Sequence, residues 1–432
     1  MTFSQKTIIL VEKEDKRQMK NIEMLNLLEK IANDEKTLET SKLKANSFTR
    51  ERGMPFVDAL TFLLDMRKTS LQTRLNAYYK KVKGGDPISQ QAFSKLRMNF
   101  DHSPFEKMVR GQVSKEYSGA YELPLWNEYH VFGIDGSFIQ LPRADSLRTE
   151  FGVRGRGGTC PCAGISVLYD VLHGWAIDPI LSKADRNERA ECKKHIEFLC
   201  RELPYIAKNS IITLDMGYPS ADLLNKLQHS GVKFATRCNS RFLSEINNAP
   251  MGDSIVVLKN GISVRVLKFV LSSGELETLA TNLFELPEPL FPELYALRWG
   301  IETAYFCLKE ELCIEKFSGK TPNSIRQDFW AAMVLLNSVA VFRQDADMLV
   351  EERHKEKNLK HAYHARTSGL IVSLRDEFIF AVLSGNSIFT ASEMKRIINA
   401  MAREVSPIRP NRSFPRDFKP RFKANHNLKS HL

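Results

Sequence analysis

An α/β fold between two helical regions is the class this 432-residue sequence predicts, and three observations carry it. Helical periodicity fills roughly the first 125 residues. Near residue 128 the texture turns β-rich, and strand-like and helix-like segments then alternate. Helical spacing returns from about 289 and runs to about 404.

In the first region apolar residues recur at three- and four-residue steps in IEMLNLLEKI (22–31), VDALTFLLDM (57–66) and SLQTRLNAYYKK (70–81). Gly84, Gly85, Asp86 and Pro87 interrupt the pattern as a turn. ISQQAFSKLRMNF (88–100) then predicts a helix capped by Ser89, with Ala92, Phe93 and Leu96 inward and Gln90, Gln91, Ser94, Lys95 and Arg97 exposed. Two readings fit it equally: the recognition half of a helix-turn-helix, with Lys95 and Arg97 meeting DNA, or a packing helix with a polar outer face.

EYHVFGIDGSFIQLP predicts a strand over about 129–141, centred on Asp135. ISVLYDVLHGWAIDPIL (165–181) reads as two strands joined at His173-Gly174, and the Gly- and Arg-rich RTEFGVRGRGGTCPC (148–162) lies before them as a loop. A helix over 187–203, a short apolar strand SIITLD (210–215) ending in Asp215, a helix over 219–231 and a strand over 232–239 follow. Weakly alternating segments around 253–282 suggest a β-rich insertion. These breaks divide the chain into a helical DNA-binding region (1–127), an α/β domain (128–238 and 283–345), the insertion (239–282), a C-terminal helical region (346–405) and a disordered basic tail (406–432).

Lys and Arg outnumber Asp and Glu by 62 to 51, a net +11 that points to a polyanionic partner. The tail holds seven Lys/Arg against one Asp, so it carries +6 of that charge, and its interleaved prolines suit contact with a nucleic-acid backbone. The apolar run at 329–342 contains Asn337 and Ser338 and falls short of the ~18 residues of a membrane span, so it reads as a buried helix. Seven scattered cysteines fit a reducing cytoplasm rather than a disulfide framework, and Cys160-Pro-Cys162 lacks the second pair a zinc site needs. His361 and His364 read as surface residues one turn apart on a helix. Arg154-Gly-Arg156-Gly-Gly lacks the Lys-Ser/Thr of a nucleotide-binding loop and suits a phosphate-contacting loop beside Asp135.

The densest chemistry lies in ELYALRWGIETAYFCLKEEL (293–312). On one α-helix Tyr295, Arg298, Glu302 and Lys309 fall within about 60° of one another, giving a face with a phenol, a guanidinium, a carboxylate and an ammonium. Alone, Arg298 and Glu302 read as a surface i,i+4 ion pair. Parallel pairing of the strands that carry Asp135 and Asp215 would add two carboxylates, which repel each other unless protonated or bridged by cations. Hard divalent ions are suited to that role.

Asp135 in IDGS, Asp215 in DMGY, and the series Tyr295, Arg298, Glu302, Lys309 resemble the DDE transposases of bacterial insertion sequences, in the family marked by a Y-R-E-K signature (insertion-sequence family four). The resemblance implies a ribonuclease H-like catalytic domain, with Asp135, Asp215 and Glu302 holding two Mg²⁺, replaceable by Mn²⁺. It also implies strand hydrolysis at the element's end, hairpin formation and strand transfer. Tyr295 and Arg298 would bind a phosphate near the hairpin, Lys309 the end DNA, and Trp299 would stack in the gap left by a flipped base. A second aromatic, in the insertion, would receive that base, and no residue there stands out for it. The implied partners are the terminal inverted repeats and target DNA, with a homodimer at synapsis and no membrane, in the nucleoid of a bacterial cytoplasm. A structure-specific nuclease of the same fold and a non-catalytic DNA-binding regulator are the competing readings.

Overall fold

A computed structural model describes residues 21–49, 54–67, 69–119, 123–155, 160–239, 242–271, 274–374 and 391–408. The N-terminal region is helical as expected: α1 (21–33), α2 (Glu35–Ser41), α3 (Phe56–Leu64), α4 (Leu71–Tyr78), α5 (Gln90–Leu96) and α6 (Ser103–Glu116). Ser89 caps α5 by accepting the Ala92 N–H at 3.2 Å, and Phe93 is fully buried. Ala92, expected inward, is exposed.

Arg97 departs further from expectation, because it is 1% exposed and faces the protein rather than DNA. The chain tightens to a 3₁₀ turn at Arg97–Asn99 and turns the side chain inward. Its guanidinium donates to Gln327 Oε1 (2.9 Å), Ser318 Oγ (2.7 Å), the Ser324 carbonyl (3.1 Å) and Asp328 Oδ1 (2.9 Å). A buried carboxylate needs a counter-charge, and Asp328 takes this one.

The central sheet contains β1 (His130–Gln140), β2 (Val153–Arg154), β3 (Cys160–Asp170), β4 (Trp175–Lys183), β5 (Ser210–Leu214) and β6 (Lys233–Arg237). β3 runs antiparallel to β1 and to β4, whereas β5 runs parallel to both β1 and β6. The order β4-β3-β1-β5-β6 is the ribonuclease H-like arrangement. His173 and Gly174 lie in the turn between β3 and β4, where Gly174 has φ 83°. Helices α7 (Asp145–Phe151), α8 (Glu188–Glu202), α9 (Pro204–Lys208) and α10 (Ala221–Ser230) supply the connections.

The segment read as an insertion holds α11 (Ser244–Asn247), β7 (Gly252–Val257), β8 (Ser263–Val270) and β9 (Leu276–Thr281). β9 pairs with β6 through Ala235↔Thr281, so these strands extend the central sheet itself. Then come α12 (Phe291–Leu297), α13 (Trp299–Phe306) and α14 (Pro322–His354), which is buried almost throughout 324–342. Asn337, the polar residue of the apolar run, exchanges hydrogen bonds with the Ala176 N–H (2.8 Å) and carbonyl (3.1 Å). No helix among the described residues is long and apolar enough to cross a membrane.

Past α14, His364 sits in strand β10 (Tyr363–Ala365) rather than on a helix, followed by α15 (Thr367–Ser373) and a helix at Ala391–Met401. β10 pairs with β11 (Val405–Pro407), so Ser406 and Pro407, read as the start of a disordered tail, belong to a strand. Residues 409–432 lie outside the described chain.

Candidate active site

Strand register brings Asp135 and Asp215 together. The last parallel pair of β1 with β5 is Ile134↔Leu214, so the next residue on each strand is an aspartate. In-register neighbours on parallel strands share a face of the sheet. β5 stops there while β1 continues, which leaves the two carboxylates at an open strand end.

Glu302 arrives on α13, and two glycines allow its approach. A Cβ on Gly133 would lie 3.3 Å from Val171 Cγ1 and 3.7 Å from Ile301 Cβ, and one on Gly300 would lie 3.2 Å from Val171 Cβ. Chain between Phe291 and Glu311 stays helical, as the spacing predicts, but it adopts a π turn over Cys307–Glu311. Lys309 in that turn donates to Ser137 Oγ at 2.7 Å, two residues beyond Asp135. Arg298 Nη2 donates to Glu302 Oε1 at 2.9 Å, and the Tyr295 hydroxyl lies 3.4 Å from Asp215 Oδ1. The expected face is thus assembled around both aspartates. Trp299, beside the Arg298 guanidinium at 5.4 Å, is 49% exposed, which removes the core-packing reading for it.

Charge in this cluster is unbalanced toward the negative. Burial pushes the Asp135 carboxyl up to about 6, and the nearby Asp215 and Glu302 push the same way against the Gly136 N–H and Arg298. Burial opposes the Arg298 charge, yet Tyr295, Asp215 and Glu302 raise its pKa overall. Lys309 is lowered by burial. Three oxygen-only donors that repel one another fit a hard divalent cation in chemistry. As the side chains stand, no group of three His, Cys, Asp or Glu among the described residues is arranged to hold an ion, and Glu302 is engaged by Arg298.

Residues 126–338 match the family model described as the transposase DDE domain. This segment is the DDE domain of a transposase. Such transposases cleave DNA with divalent metal ions, and DNA is their partner. No curated protein matches the chain. Seven solved chains do, among them the cryo-EM structure of the piggyBac transposase synaptic complex with hairpin DNA. That likeness covers 88% of this chain and 83% of the other at 11% identity, with a TM-score of 0.47.

Other expected residues of the transposase are dispersed. Arg154 stacks over the Phe138 ring at 3.5 Å at the sheet edge, on the face of β1 opposite to Asp135 rather than beside that carboxylate as expected, and Arg156 lies outside the described residues. Lys95 is exposed on α5, and Arg97 is buried as described. Several neighbours of the cluster escaped the sequence reading. Arg237 at the end of β6 pairs with Glu277 of β9 at 2.8 Å, and the Glu277 carboxyl, raised by burial, lies within the electrostatic reach of Asp215 and Arg298. Arg186 crosses β1 and β3 where both carry glycine: a Cβ on Gly136 would fall 1.5 Å from Arg186 Nη2, and one on Gly164 2.3 Å from Arg186 Cδ. The Gly of the IDGS motif thus makes room for a buried arginine. A glycine beside a carboxylate was the available signal, but nothing local named its occupant.

Proposed function

We propose that the transposase belongs to the Y-R-E-K group of insertion-sequence enzymes and moves its element by cut and paste, with Asp135, Asp215 and Glu302 as the catalytic carboxylates. The observation that carries this reading is the Ile134↔Leu214 register, which sets Asp135 beside Asp215 where α13 delivers Glu302. Two Mg²⁺ or Mn²⁺ ions bound by these oxygens would activate the attacking water or 3′-OH and stabilise the leaving oxygen.

The chain's own groups then hold the DNA. Arg298 keeps a buried Nε without a hydrogen-bond partner, a donor that a phosphate oxygen can take. Tyr295 and Arg298 together grip the phosphate next to the hairpin, Lys309 contacts the strand running past Ser137, and exposed Trp299 stacks on a base. Arg154 and Arg156 contact flanking phosphates, and two copies pair when the ends are synapsed. The N-terminal helices, with Lys95 outward, bind end DNA.

The test uses purified protein with end DNA of its own element in Mg²⁺ or Mn²⁺. Nicking, hairpinning and strand transfer are expected, and Asp135→Ala or Glu302→Ala should each lower the rate by ~10³-fold or more, about 4 kcal/mol of barrier. Retained activity in either variant overturns the assignment. Cutting without strand transfer would favour a nuclease instead.

A further inference from the structure

We propose that Tyr305 is a positioning residue that ties the Asp135 carboxylate to the helix carrying Glu302; the inference rests on the catalytic assignment of those two carboxylates. Tyr305 lies one turn beyond Glu302 on α13 and is 7% exposed. Its phenol donates to the main-chain carbonyl of Asp135 at 2.7 Å. The N–H of that same peptide, on Gly136, donates to Asp135 Oδ1 at 2.8 Å. A single peptide plane, already paired with β3 at Asp135↔Val167, is therefore held at its oxygen by α13 as well and aims the carboxylate from its nitrogen.

Three features give this link its importance. The β1–β5 ladder ends at Ile134↔Leu214, so no β5 residue pairs with β1 beyond that point and the Gly136 N–H serves the carboxylate instead. A donor on the carbonyl polarises the peptide and strengthens the N–H at its other end. The plane has no room to tilt toward Arg186, whose guanidinium fills the space where a Gly136 side chain would be. The other hydroxyl at this carbonyl, Ser166 Oγ, is 3.4 Å away and is held by His195 Nε2 at 3.0 Å, so it is the weaker contact.

Loss of one partner behind a ligand typically weakens metal binding by about 10–100-fold, whereas loss of packing alone does not. Tyr305→Phe removes the donor and keeps the ring. Mn²⁺ binding to the purified full chain, followed by the electron paramagnetic resonance signal of free Mn²⁺, is expected to weaken by about tenfold. The thermal midpoint should stay within about 4 °C of wild type. Metal-free binding to a plasmid fragment should be unchanged, and Ser166→Ala should bind Mn²⁺ as the wild type does. Where Tyr305→Phe folds poorly, Tyr305→Met, which also lacks the donor, must show the same weakening. Wild-type Mn²⁺ affinity in the folded variant overturns the proposal if Asp135→Asn loses Mn²⁺ in the same assay. If Asp135→Asn also keeps it, the carboxylate assignment itself has failed.

Discussion

Asp135 is held at a cost to the fold. A carboxyl whose pKa is higher in the folded than in the unfolded state stabilises the fold in its protonated form. That contribution is present below pH 3.8 and is lost as pH rises through about 6. Asp135→Asn should therefore raise stability at neutral pH in metal-free buffer by about 1–3 kcal/mol, while removing activity. Thermal midpoints measured against pH should show the two proteins converging below about pH 4. A constant offset across that range would mean that burial and the neighbouring carboxylates do not set the Asp135 pKa. The residue was legible from sequence because one aspartate sits at the centre of a β-rich segment and a second, 80 residues later, ends a short apolar strand. Tyr305 was not, because its partner is a backbone carbonyl 170 positions away.

At the scale of elements, helix starts were readable where the signal is local, while the inward face of α5 was read correctly at Phe93 but not at Ala92. Ser89 caps α5 as its side chain dictates, and the buried helix at 329–342 lies within α14. Arg97 failed because its reason is remote: Asp328, Gln327 and Ser318 sit more than 220 residues later in sequence. Arg97→Ala should accordingly cost about 3–5 kcal/mol in urea unfolding by leaving Asp328 buried and unpaired. DNA affinity of the folded fraction should not change, and weakened DNA binding with normal stability would restore Arg97 as a DNA contact. The β7–β9 segment was recognisable as β-rich, yet its continuity with the central sheet depends on the β6–β9 pairing, a contact across more than 40 residues. The π turn at Cys307–Glu311 was equally invisible, although it decides where Lys309 points.

Across the whole molecule, basic charge is concentrated toward the C-terminus while the chemistry gathers on carboxylates. Removing residues 409–432 deletes seven Lys/Arg and one Asp. If those cations neutralise phosphates, the slope of log affinity against log salt should flatten by up to about 6 in an anisotropy titration. An unchanged slope would show that the tail does not touch DNA. The α/β class and the succession of strands and helices along the chain were legible through alternation and texture, whereas the way the helical regions join the sheet was not. That joint is α14. Arg97 anchors to its first turns, Gln112 of α6 bonds Ser338 at 3.1 Å, and its Asn337 holds β4. The DDE match ends at residue 338, halfway along this helix, which continues to His354. The stretch matched by the DDE model is therefore not a unit that could be lifted out and grafted elsewhere: its last helix also packs into the N-terminal region's core, so cutting there would expose the apolar faces of both parts.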